Sequence, residues 1–446
     1  MPEFWCELAW LGGATATADV LLRTEGSLLT EVVPGVACPP GAVRLAGLTL
    51  PGLANAHSHA FHRALRGRTQ TGVGSFWTWR DQMYTAALRL NPDNYQRLAR
   101  AVFGEMALAG ITCVGEFHYL HHGPEGTPYA DPNEMGAALT SAAADAGVRM
   151  TLLDTCYLQG GIGRPLNDVQ RRFSDGEVHA WAARATAARS LSSPVARVGA
   201  AIHSVRAVNP AAVGHVAAWA DEHDAPLHAH VSEQPAENEM CVDAYGLTPT
   251  GVLHEGGALH ERFTAVHATH LAVSDVELYG SHASTICLCP TTERDLADGI
   301  GPAGSLREAG ARLAVGTDSH AMIDLFEEAR AVELNERLAT QVRGGHDAAT
   351  LLSAATEHGY RALGWSEGGR LVAGALADFV TIRLDSVRTA GSTAQSSLDT
   401  AVFAAAAADV HHVVMNGRVV VSEGRHCSID VAAELHATIT ELMAPN

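Results

Sequence analysis

Imidazoles and carboxylates recur at the ends of apolar runs in this 446-residue chain. "LANAHSHAFHR" carries His57, His59 and His62, and "HAHVSE" carries His228, His230 and Glu233. "VHATH" supplies His267 and His270, "GTDSH" supplies Asp318 and His320, and His203 closes "RVGAAIH". His57 and His59 stand two apart, so on a strand their side chains share one side and can bind one ion together. Among 24 histidines, roughly one His-x-His pair is expected by chance, so this spacing alone decides little. Recurrence at the ends of successive runs decides more, because independent accidents would all have to fall at the same place. Nitrogen and oxygen donors of this kind suit one divalent ion such as Zn²⁺, with room left for water. Such an ion brings the pKa of water down towards about 7. Glu233, three residues beyond His230, is placed to move protons between that water and a leaving group.

Eight apolar, β-rich runs must position these residues. They are "LTLPGLANAHSH", "GITCVGEFHYL", "RMTLLDTCYL", "RVGAAIHSV", "APLHAHVSE", "FTAVHATHL", "STICLCP" and "RLAVGTDSH". Ala-rich, helix-competent stretches such as "NPDNYQRLARAVFGEMALA" and "NPAAVGHVAAWADEHD" separate them. Strand and helix alternating eight times predict an α/β protein with a (β/α)₈ barrel, whose chemistry sits at the C-terminal ends of the strands. An open doubly wound sheet is the alternative, but no glycine-rich dinucleotide turn follows the first run. Residues 1–49 and 371–446 read differently, as short Val/Leu runs with glycine turns. Asn416–Gly417, between apolar runs, is a hairpin signal. The two ends are expected to pair into a small β-sandwich domain, with the barrel of residues 50–370 between them.

Composition narrows the chemistry. All 30 basic residues are Arg, since the chain contains no Lys. A Schiff-base lysine, a P-loop lysine, a pyridoxal phosphate anchor and a lysine carbamate bridging two metals are thereby excluded. The net charge of −19 repels phosphate backbones, so no nucleic-acid partner is expected. A small anionic substrate would need local arginines. No apolar run reaches membrane-spanning length, and "MPEFWCELAWLGG" does not read as a secretory leader, so a cytoplasmic location is the default expectation. Eight scattered cysteines suit reduced thiols, and Cys287 and Cys289 of "CLCP" read as plain strand residues.

Over nearly its whole length the chain resembles the amidohydrolase superfamily, in its mononuclear deaminase branch, through "HSH", "HVSE", "VHATH" and "TDS" on the first, fifth, sixth and eighth runs. The resemblance implies His57, His59, His230 and Asp318 as metal ligands and Glu233, His267 and Asp318 as catalytic groups. It gives His228 and His270 no role, which leaves them structural. Within the branch, "HSHAFHRAL", "SFWTWRDQMY", "EFHYLHH", "RRF", "HSVRAV" and "VHATH" resemble the formimidoylglutamate deiminases of histidine degradation. These release ammonia from N-formimidoyl-L-glutamate and leave N-formyl-L-glutamate. A substrate pocket lined by Arg80, Tyr119, His203 and Arg206 is implied, with His62 where the family commonly carries a substrate-reaching glutamine. "CPTTERDLADG" likewise differs from the family's "STEANLGDG". Two permanently charged arginines suit a dicarboxylate inside an acidic protein. Phe76, Trp77 and Trp79 read as packing. Dimerisation is what the resemblance suggests. A ring-amine deaminase of the same branch, acting on guanine or cytosine, is the rival reading, and a metal-free binding protein on the same barrel is a more remote one.

Overall fold

The computed structural model describes residues 2–70 and 76–444, except the side chains of Phe76 and Trp77. All eight runs form parallel strands of one sheet. In sheet order they are Leu53–Ser58, Ile111–His118, Arg149–Cys156, Ala196–Ile202, Leu227–Val231, Phe263–His267, Thr285–Leu288 and Arg312–Val315. Parallel neighbours need crossovers, and helices supply them. Asn91 starts the helix Pro92–Leu108 by accepting from the Asn94 N–H (3.0 Å), while the Asn94 side chain accepts from the Asn91 N–H (2.8 Å). Asn209 caps Pro210–Glu222 in the same way, accepting from the Ala212 N–H at 3.0 Å. Each proline opens its helix where a missing N–H costs nothing.

The barrel closes between its eighth and first strands, and the seam runs through the candidate ligands. The His57 carbonyl accepts from the N–H groups of Thr317 (3.1 Å) and Asp318 (3.0 Å), and the Asp318 carbonyl accepts from the His59 N–H (3.3 Å). Gly316 permits this approach, since a Cβ there would lie 2.9 Å from the His57 N, O and Cβ atoms. The Asn55 amide stitches the same seam, bonding the Thr317 hydroxyl (2.7 Å) and N–H (2.9 Å).

The first run, read as one element, divides at Gly52. Val43–Pro51 joins the terminal sheet and Leu53–Ser58 opens the barrel. Any side chain at residue 52 would collide with the Thr112 hydroxyl, 2.0 Å from the Cβ position. The terminal sheet contains eight strands drawn from both chain ends. Val43–Pro51 lies between Glu3–Ala9, its parallel partner, and Phe379–Ile382, its antiparallel partner. The sheet curls back on itself: the Leu29 N–H donates to the Ala375 carbonyl and the Ala377 N–H to the Ser27 carbonyl, both at 2.8 Å. Phe4, Cys6, Val20, Leu45, Phe379 and Val414 fill the core so enclosed. Asn416 and Gly417, with φ of 57° and 71°, make the expected hairpin turn between Val410–Met415 and Arg418–Ser422. The last helix, Val431–Met443, leaves this sheet and pairs with Pro92–Leu108 of the barrel through Arg97–Glu441 and Arg100–Glu434. Among the described residues no helix is long and apolar enough to cross a membrane.

Candidate active site

Four side chains converge at the seam. One nitrogen each from His57, His59 and His230 and one oxygen from Asp318 all lie within 4.8 Å of one another, and all four residues are buried. His57 Nε2 is 3.2 Å and His59 Nε2 3.4 Å from Asp318 Oδ1, and His57 and His230 bring their Nε2 atoms to 3.1 Å. Second contacts fix which nitrogen faces inward. His59 donates from Nδ1 to the Phe117 carbonyl (2.9 Å), and His230 from Nδ1 to the His203 carbonyl (2.8 Å). A neutral imidazole with its proton on Nδ1 has a bare lone pair on Nε2. Burial holds His59 and His230 well below the ordinary histidine value, so they stay neutral. Bare lone pairs and a carboxylate aimed at one point repel each other until a cation sits among them, and the donor set therefore fits a divalent ion.

Glu116 supports this seam from below. Its two oxygens accept from the Ser58 hydroxyl and the Ala60 N–H, each at 2.7 Å, on either side of His59. Burial pushes its carboxyl up to about 8. His320 bonds the Ser58 and Thr317 hydroxyls at 3.2 and 2.9 Å and completes the network. Neither role stands out in the sequence, although an acid inside "CVGEFHYL" is the trace that Glu116 leaves.

Backbone conformation marks the same place. Ser232, His267, Ala268, Asp318 and His320 have φ between 41° and 68°. Left-handed conformations in residues with a Cβ cost of order 1–3 kcal/mol each and gather where surrounding structure forces a functional geometry. Here they turn the chain sharply at the ends of the fifth, sixth and eighth strands and present His267 and Asp318 to the cluster.

Glu233 and His267 sit beside the four donors. Glu233 Oε1 is 3.7 Å from His267 Nε2, and Asp318 Oδ2 is 3.9 Å from it. On its other side His267 donates from Nδ1 to Glu293 Oε1 (3.4 Å), which also accepts the Cys289 N–H (2.8 Å). Burial opposes charge on His267, but the carboxylates of Glu233, Glu293 and Asp318 prevail and hold it well above the ordinary value. Glu293 belongs to "CPTTERDLADG", the segment that departs from the family pattern, and its partnership with His267 becomes visible only in three dimensions. His228 and His270 are structural: they donate to the carbonyls of Ala362 (2.9 Å) and Asp298 (2.7 Å).

The cluster forms one wall of a cavity of about 150 Å³. Arg80, Tyr119, His203, Arg206 and His62, all expected to contact substrate, line it together with Glu233, His267 and Asp318. His62 bonds the Tyr119 hydroxyl at 2.9 Å, and burial pushes its imidazole down to about 3, so it meets a ligand uncharged. The His203 ring packs 4.6 Å from Tyr157 and 5.6 Å from Tyr119. Arg206, itself partly buried, joins an ion-pair network with the buried Glu233 (3.3 Å) and Glu237 (3.8 Å), rather than a surface pair. Arg80 lies over the Tyr84 ring, 5.5 Å from its centre. Trp79 packs edge-on to His62 at 5.0 Å, while the side chains of Phe76 and Trp77 lie outside the described residues.

Comparison with known proteins agrees with this geometry. Residues 48–420 match the amidohydrolase family. The chain belongs to that family. This amidohydrolase is 36% identical to formimidoylglutamate deiminase of Pseudomonas aeruginosa over 91% of each chain. It is 32% identical to a Brucella melitensis amidohydrolase of known structure, with a TM-score of 0.93 and full coverage of both chains. A zinc-bound adenosine deaminase from Xanthomonas campestris shares the fold at 24% identity, with a TM-score of 0.85 over 99% of this chain and 97% of that one. The protein is a homologue of formimidoylglutamate deiminase and a hydrolase of carbon–nitrogen bonds.

Proposed function

We propose that this amidohydrolase hydrolyses N-formimidoyl-L-glutamate to N-formyl-L-glutamate and ammonia, as a step in histidine degradation, using one zinc ion. The observation that carries the proposal is the pairing of a cation-binding cluster and two arginines, Arg80 and Arg206, in one small cavity. A deaminase acting on a flat neutral base needs stacking and amide contacts instead. Identity of 36% to a formimidoylglutamate deiminase supports the same substrate.

His57, His59, His230 and Asp318 would hold the ion. When bound, it supplies Lewis acidity that lets water react near neutral pH. Glu233 takes a proton from the attacking water and delivers it to the imino nitrogen of the formimidoyl group as the carbon–oxygen bond forms. Asp318 accepts the remaining hydroxyl proton, and that proton passes on to the departing nitrogen as the carbon–nitrogen bond breaks, so that nitrogen leaves as ammonia and the carbonyl of the formyl group forms. His267, held by Glu293, orients the water and faces the carbon where charge develops. Arg80 and Arg206 bind the two carboxylates, with Tyr119, His203 and His62 shaping the space between, so that the reacting carbon stays beside Glu233. Resemblance to the family also implies a cytoplasmic homodimer, which sedimentation and cell fractionation test.

The test is ammonia release from N-formimidoyl-L-glutamate, with adenosine, guanine and cytosine in parallel, before and after chelation and zinc repletion. Chelator-sensitive release from the glutamate derivative alone is the expected result. Turnover of a ring amine instead would keep the hydrolysis and overturn the role of the arginines.

A further inference from the structure

The motif "RRF" has a place in the structure that its resemblance does not explain. It ends the short 3₁₀ turn Gln170–Phe173, which touches three parts of the substrate side of the cavity at once. Arg172 is fully buried, and among the described residues it has no ion-pair partner. Its guanidinium donates to the carbonyls of Ala87 and Leu90 (2.7 Å to Leu90) and to the His122 carbonyl (2.9 Å). Ala87 and Leu90 are at the C-terminal end of the helix Phe76–Arg89, where carbonyls lack helical donors and the dipole is negative. The same helix carries Trp79, Arg80, Met83 and Tyr84 along the cavity.

The turn is itself fastened to the barrel. The Arg172 carbonyl accepts from the N–H groups of His121 (3.1 Å) and His122 (2.9 Å), in the loop just beyond Tyr119. Gln170 is buried, and its amide donates to the hydroxyls of Tyr84 (3.0 Å) and Tyr157 (2.9 Å), joining the helix to the end of the third strand. The Phe173 ring lies 5.0 Å from Tyr119, 5.5 Å from Tyr157 and 6.1 Å from Tyr84. A charge buried without a counter-ion is costly, and a neutral donor would not reach carbonyls on two separate segments as the five-donor fork of arginine does.

We propose that the Gln170–Phe173 turn is a fixture that locks the Arg80 helix to the barrel, with Arg172 as its principal positioning residue, and thereby sets where the substrate carboxylate binds. The kinetic half of this inference rests on the role proposed above for Arg80, and the structural half does not. Arg172→Met, Arg172→Lys and Tyr84→Phe are compared with wild-type zinc-loaded enzyme by hydrogen–deuterium exchange and by kinetics with N-formimidoyl-L-glutamate. In Arg172→Met, exchange within residues 76–89 rises roughly tenfold while barrel-strand protection holds. KM rises roughly tenfold with kcat within about threefold and metal content unchanged, the pattern of lost ground-state positioning. Arg172→Lys recovers part of both effects. Tyr84→Phe removes only the hydroxyl bonded to Gln170 and gives a smaller change of the same kind, which keeps the test open if Arg172→Met does not fold. Wild-type exchange in the helix of these variants, or a fall in kcat at unchanged KM, overturns the fixture. Absence of turnover by the wild type defeats the substrate reading instead, and the exchange result still decides the structural half.

Discussion

The Nε2 atoms of His57 and His230 lie 3.1 Å apart inside a buried wall, and the Nδ1 proton of His230 is committed to the His203 carbonyl. Two imidazole nitrogens held this close on nearly perpendicular rings, with Asp318 alongside, form a site that a cation stabilises. Chelation is therefore expected to lower Tm and zinc to restore it. At free zinc a hundredfold above Kd the gain is about 2.7 kcal/mol. His230→Ala should lose that zinc-dependent increment. An identical Tm with and without metal in the wild type would remove the metal from the account.

Glu233 stands between Arg206 and His267, at 3.3 and 3.7 Å. Glu233→Gln keeps the shape and an acceptor for Arg206 but cannot carry the proton. Activity is expected to fall roughly 10²–10⁴-fold while metal content, measured by elemental analysis, is unchanged. Near-wild-type turnover in this variant would sink the proton-transfer role.

Glu293 fixes His267 through Nδ1 and takes the Cys289 N–H as well. Glu293→Ala leaves both donors buried without an acceptor, a loss of about 1–3 kcal/mol for each. Turnover should drop roughly 10–100-fold, as it does when an outer partner of a site imidazole is removed. Glu293→Gln retains an acceptor and should keep most of the stability. Equal stability and turnover in wild type and Glu293→Ala would show that His267 is oriented by other contacts.

The two arginines separate by their neighbours. Arg80→Met should raise KM roughly 10–100-fold, the worth of a charge-assisted contact of about 1.5–3 kcal/mol, with kcat little changed. Arg206→Met also strips the counter-charge from Glu233 and Glu237, so both KM and kcat should suffer. Steady-state kinetics at matched metal content checks the contrast. Identical KM in Arg80→Met and wild type would mean that this arginine does not hold the substrate.

Acid should destabilise the fold partly through His228. This residue is fully buried with its Nε2–H on the Ala362 carbonyl, and burial pushes it down to about 3. The unfolded chain binds a proton near pH 6.5 and the folded chain does not, so the folded state loses about 1.4 kcal/mol per pH unit as pH falls from about 6.5 to 3. His228→Gln retains a donor without titrating, and its stability should vary less with pH by one proton across that window. Unfolding free energies measured at pH 7, 6 and 5 in wild type and variant give the two slopes. Coincident slopes would show that His228 does not carry this dependence.

The sequence by itself determined the layers and the poles of the site. Strand and helix periodicity is a local property, so eight runs and their crossovers could be counted before any contact was known. A parallel barrel places every strand's C-terminal end on one face, and this is why His57, His59, His230, His267 and Asp318, spread over some 260 residues, were legible as neighbours. Lack of lysine and the quoted motifs then narrowed the chemistry.

Tertiary structure decided what depends on distance and direction. Only the folded chain shows that the first run divides at Gly52 between two sheets, and that the glycine is needed there because Thr112 leaves no room for a Cβ. The same holds for the nitrogens that face inward, set by the carbonyls of Phe117 and His203, and for the buried network that binds Arg206 to Glu233 and Glu237. Glu116, Glu293 and Arg172 escaped the sequence for one physical reason. A buried polar or charged group takes its role from groups remote in the chain, and neither its own residue type nor its immediate neighbours record which groups those are.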